Sequence, residues 1–222
     1  MQRILGTHAA QARRFSPVVV LCLVVFDIAA SNIVHTAGLI EMNEWLRRPP
    51  VYTLVVSLFM LTFGTVVGAM LVSFQDSFYA AARREIIKRP EIHGFAGSEA
   101  IDQGRIAEVA DQANAALRLL HTHSLGIGIL ILVATLTIAN LSISPRLQSL
   151  FCALVSLGAI YPFGWAVLTW LIPLMGVDAL RTPVELTFFV PFGGALLIGL
   201  LGALGVSVVG WLRSPPKTTG AP

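Results

Sequence analysis

Two histidines one residue apart, His121 and His123, sit in the run Leu119-Leu120-His121-Thr122-His123-Ser124-Leu125-Gly126, where a charged segment gives way to an apolar one. Imidazole ligates metals and haem iron, and its charge changes nearest neutral pH. This run therefore carries the clearest chemistry in the chain. Helical geometry constrains what that chemistry can be. A single metal held from one helix wants ligands at i, i+3 or i, i+4. Spacing of i, i+2 turns two side chains about 200° apart. In a helix, one ring then points into a bundle and the other meets a different neighbour, so two separate roles are easier to build than one chelate.

Other polar residues share the expected depth of these histidines. Asp76 closes one apolar stretch and Glu185 opens another. His121, His123, Asp76 and Glu185 together would be a mixed nitrogen and oxygen ligand set suited to Zn, Fe or Mn. A second constellation is Asp27, Ser31 and His35, at i, i+4 and i+8, within about 80° of one helix face. A carboxyl group in hydrocarbon is costly and faces the bundle interior. The stripe reads either as a proton relay or ligand row, or as a hydrogen bond that fixes helix register. His35 falls near the opposite end of its span, roughly 25 Å in depth from His121, which makes the two poor opposite ligands of one haem. His93, beside Gly94 in an expected turn, and His8 read as solvated residues without a role.

The His-x-His pattern at 121–123 is similar to that of haem–copper oxidase catalytic subunits, where two such histidines on one helix are axial ligands to two separate haems. The resemblance covers Leu119–Gly126, with Gly126 and Gly128 adding a small-residue face. The chain has five histidines in all and lacks that family's other histidine ligands. What the resemblance implies is haem b as cofactor, with His121 and His123 as axial ligands.

The elements that must position these groups are apolar helices. Of 222 residues, 55% are apolar and 12% charged, against about a quarter charged in soluble domains; the mean hydropathy is +0.78. The expected fold is all-α, a polytopic membrane helical bundle with five spans at 17–40, 51–75, 119–142, 147–175 and 184–212. The charged region 76–118 separates the second and third spans and extends them as an antiparallel helical hairpin outside the membrane. Pro90, Gly94 and Gly97 mark its turn. From Ser98 onward, Ile106, Val109, Ala113, Leu117 and Leu120 follow helical spacing. Residues 1–16 read as a leader, 17–213 as the transmembrane domain, 177–183 as a short loop and 214–222 as a disordered tail. Pro162 predicts a kink near residue 160. Gly64 with Gly68, and Ala195, Gly199, Ala203 and Ser207, form small-residue stripes that let backbones approach closely. They serve packing within the chain, a homo-oligomer or a larger membrane complex.

The net charge of +3 is too small and too dispersed for nucleic-acid binding. Cys22 and Cys152 lie in expected spans and read as apolar packing residues. Arg3, Arg13 and Arg14 precede the first apolar stretch, which runs on past Ala29-Ala30 to Ile40 and so reads as a retained span. Lys and Arg are concentrated in the leader and the hairpin, which places the N-terminus in the cytoplasm of a bacterial inner membrane. No phosphate loop, dinucleotide fingerprint or nucleophile elbow occurs. Three functions fit this reading. One is a haem-b-binding or redox-associated subunit. Another is an intramembrane metal-dependent hydrolase acting on lipid. The last is a structural accessory subunit or transporter without a prosthetic group.

Overall fold

A computed structural model describes residues 47–213. The leader, the first span with Asp27, Ser31 and His35, and the tail after residue 213 lie outside the described residues. The described chain is all-helical, with no strand among its residues. In order it forms α1 (Val51–Ile87), α2 (Pro90–His93), α3 (Glu99–Ala139), α4 (Pro145–Leu157), a 3-10 turn (Gly158–Ile160), α5 (Phe163–Met175), α6 (Val177–Val184), a π-helical segment (Glu185–Gly193) and α7 (Gly194–Arg213). Four continuous helical stretches are long and apolar enough to cross a membrane: Val51–Ile87, Glu99–Ala139, Pro145–Met175 and Val177–Leu212. They match the second to fifth expected spans.

At 1.5 Å per residue, α1 with 37 residues and α3 with 41 are about 56 and 62 Å long. A hydrocarbon core of about 30 Å takes up half of each. The charged halves pair with each other as the expected antiparallel hairpin. Its turn is built from α2, which ends on Gly94 at φ 66, a left-handed cap that glycine adopts without steric cost. Asp102 accepts a hydrogen bond from the Ala96 backbone N–H at 2.7 Å and pins the turn to the first turn of α3.

Two cores lie one above the other. Met60, Ile131, Ile138, Phe151, Val155 and Ala203 form the apolar one. Ile86, Ile106, Ala113, Leu168, Ile172 and Val184 form the one under the charged halves. The stripe of small residues on α7 serves packing within the chain: a Cβ on Gly199 would meet Val155 and Leu154 on α4, and one on Gly202 would meet Phe151. Where the kink is expected, the 3-10 turn Gly158–Ile160 interrupts the helix between α4 and α5.

The segment 177–183 departs from the expected loop and is the helix α6. Leu180 and Val184 bury one face at i, i+4 in the lower core, and Arg181 pairs with Glu185 at 3.1 Å across one exposed turn. Gly176, at φ 77, turns the chain between α5 and α6.

Candidate functional site

α1 and α3 meet along a row of small residues. A Cβ added to Gly64 would lie 2.9 Å from Leu125, and one on Gly128 would lie 2.9 Å from Leu61. The close approach lets the Ser57 hydroxyl donate to the Gly128 carbonyl at 2.7 Å. The buried hydroxyls of Ser124, Thr135 and Thr169 instead donate to carbonyls four residues back in their own helices.

His121 sits in this seam. Its Nδ1–H donates to the Gly64 carbonyl at 2.7 Å, and its ring packs against Gly68, where a Cβ would be 2.4 Å from Cε1. His123 faces another way. Its Nδ1–H donates to the Leu119 carbonyl of its own helix at 2.9 Å. Its ring lies 5.5 Å from Tyr161 and 5.7 Å from Trp165, in tilted contact with both. The divergence follows from the i, i+2 spacing. In both rings Nδ1 carries a proton, because a carbonyl can only accept, so in the neutral form Nε2 is the nitrogen with the lone pair.

Tyr161 and Trp165 complete a ring cluster with Phe189, at 5.0 and 4.7 Å. The helices are irregular at this level. Tyr161 follows the 3-10 turn and precedes Pro162, and Phe189 stands on the π segment two residues before Pro191. Phe189 crosses over Gly164, where a Cβ would lie 2.4 Å from its ring. The hydropathy pattern gave no sign of the π segment, since an extra residue in one turn leaves an apolar run apolar.

Asp76 and Glu185 do not join the histidines. The α1–α3 register sets Gly68 against His121, so Asp76, eight residues on, is about 12 Å further along the hairpin, and it is exposed. Glu185 is paired with Arg181. Among the described residues, no group of three or more His, Cys, Asp or Glu side chains is placed to share a metal ion. The four-ligand set expected from depth alone is therefore not assembled. Cys152 is buried and free.

His93, expected to be solvated, is 2% exposed. Its Nε2–H donates to the Pro173 carbonyl at 3.1 Å, and its own carbonyl accepts from Arg105 Nε at 3.2 Å.

Four side-chain polar atoms are buried without a partner among the described residues: Gln112 Oε1, Asn114 Oδ1, Ser156 Oγ and Trp165 Nε1. Neither His121 Nε2 nor His123 Nε2 is among them. On the face of His123, one turn on, Gly126 is exposed, and a Cβ there would meet nothing within 4 Å. Comparison of the chain with known protein families, with curated proteins and with solved structures returned no match.

Proposed function

We propose that this chain is an integral membrane subunit that holds a b-type haem, with His123 rather than His121 as its axial ligand. The observation that carries the reading is the state of the His123 ring. Its Nδ1–H is tied to the Leu119 carbonyl, which orients the imidazole and, in the neutral ring, leaves Nε2 as the donor atom for a metal. Gly126, at i+3 on the same face, is exposed and has nothing within 4 Å of where its Cβ would stand, so this face of α3 is open to a flat macrocycle. His121 carries the same proton arrangement, but its ring is wedged between α1 and α3 against Gly68.

The donor set fits a haem held by one histidine of this chain. Bound there, the haem would supply one-electron chemistry at its iron. The Leu119 carbonyl would hold the ligand ring, and the surrounding apolar residues would exclude water. The exposed apolar faces of α1 and α7, with Val55, Leu58, Leu201 and Leu204 among them, are the surfaces left for lipid and for a larger respiratory-type assembly.

The test is the visible spectrum of the protein purified after haem-supplemented expression. A Soret band is expected in the wild type and in His121→Ala, and its loss in His123→Ala and in Gly126→Phe. A wild-type protein without a Soret band overturns the reading.

A second reading, an accessory subunit without a prosthetic group, is favoured by the work both rings already do. His121 ties α3 to α1 through Gly64, and His123 fills the ring cluster with Tyr161 and Trp165. On that reading the spectrum is featureless, and both alanine variants lose stability alone.

A further inference from the structure

Trp165 Nε1 is a hydrogen-bond donor sealed inside the chain with no acceptor. A buried donor left unmade costs about 1–3 kcal/mol, and such atoms call for a partner that the chain itself does not supply. Water is a poor candidate, because a held water needs two or more polar partners. The indole lies against rings: His123 at 5.7 Å and Phe189 at 4.7 Å, with Tyr161 in contact with both of these. The Trp165 side chain thus combines one unspent donor with flat apolar walls.

The backbone around it is irregular on both sides. The 3-10 turn Gly158–Ile160 and Pro162 lie on one side, and the π segment Glu185–Gly193 on the other. Single π turns inside helices occur disproportionately at functional sites. Here the π segment carries Phe189, and Gly164 has no side chain, which lets Phe189 lie across it.

We propose that the Trp165 cluster binds a planar, apolar ligand from the bilayer through a carbonyl oxygen, as the head of a quinone would present it. Trp165 Nε1–H donates to the carbonyl, Tyr161 and Phe189 flank the ring, and Phe189 swings on the π segment to admit it. The site makes no use of His123 Nε2, so it goes beyond the haem reading and does not depend on it. An ester carbonyl of a lipid is a second source of the same acceptor. The flat walls favour the quinone.

The four tryptophans give four indole N–H signals by NMR in detergent, and Trp165→Phe identifies the one that belongs to the site while keeping a flat ring. Menadione is expected to move the Trp165 signal downfield, as a new hydrogen bond does, and 2-methylnaphthalene, of like shape without a carbonyl, is not. Calorimetric affinity for menadione should fall at least tenfold in Trp165→Phe and be unchanged in Trp170→Phe. Equal response to the two compounds, or equal menadione affinity in wild type and Trp165→Phe, overturns the proposal. So does a shift produced by an ester phospholipid and unaltered by menadione. All readouts are taken on the purified full chain with or without a Soret band, so a failure of haem binding is recorded separately.

Discussion

The imidazole of His93 and the carbonyl of Pro173 are joined at 3.1 Å across eighty positions of sequence. α5 ends at Met175, and its last carbonyls have no helical donor ahead of them, because Gly176 leaves the helix at φ 77. The Gly176 N–H closes back on Ile172, and His93 supplies a donor for Pro173. Arg105 holds the His93 backbone in turn. Three separate helices are thus tied at the far end of the charged hairpin. His93→Ala removes a buried ring and a buried donor, with an expected cost of about 2 kcal/mol. Hydrogen exchange should rise at residues 90–97 and 173–177 and stay unchanged in the apolar half of α3. An unaltered exchange pattern would show that this bond holds nothing.

The seam between α1 and α3 gives a second prediction. His121 lies on Gly68, and its bond to the Gly64 carbonyl keeps the ring from turning away. Gly68→Ala places a methyl group 2.4 Å from Cε1, so the imidazole must give up its place on the Gly64 carbonyl or the helices must move apart. Overpacking of this kind costs about 1–3 kcal/mol, despite alanine's better helix propensity. Removing the ring relieves the clash, so Gly68→Ala with His121→Ala should lose less stability than the two single changes summed. Additive losses in a detergent unfolding assay would place the cost of Gly68→Ala somewhere other than His121.

Much of this was legible in the sequence, and the rest was not, for identifiable reasons. Apolar run length located the four spans in the described region, because a bilayer imposes a length on each. Charges at 76–118, with Gly94 and Gly97, located the hairpin and its turn. Spacing alone implied that His121 and His123 would part, since 200° of rotation follows from any α-helix. Depth along the membrane was a weaker guide. It grouped Asp76 and Glu185 with the histidines, but depth says nothing about azimuth or about a nearer partner such as Arg181. His93 was missed because its environment comes from residue 173, and no local pattern announces a contact eighty positions away. In the sequence, Trp165 is one aromatic of the run Tyr161–Trp165 around Pro162. The missing acceptor at its Nε1 is a property of packing.

The hydroxyl of Ser57, fully buried, donates to the Gly128 carbonyl across the same seam. Interhelical hydrogen bonds in membranes are worth about 0.6 kcal/mol on average and about 1.7 at most. Ser57→Ala should therefore cost less than Gly68→Ala in one unfolding assay. The reverse order would mean that the polar bond, and not the close approach of the backbones, sets the stability of the α1–α3 pair.

Glu85 supplies the pH dependence. Hydrogen bonds from Arg89 first and Lys88 second, at 2.8 and 2.7 Å, hold its carboxyl down from the ordinary 4.5 to about 2. A carboxyl lowered on folding stabilises the fold when it is ionised. Its contribution is whole above pH 4.5, shrinks as pH falls from there, and is gone below about 2. The group lies at the surface, so the effect is small and screened by salt. In low salt, the melting temperature of Glu85→Gln should lie below wild type at pH 6, and the gap should close as pH drops to 2.5. A gap that stays constant with pH would mean that the loss comes from helix packing and not from the charge on Glu85.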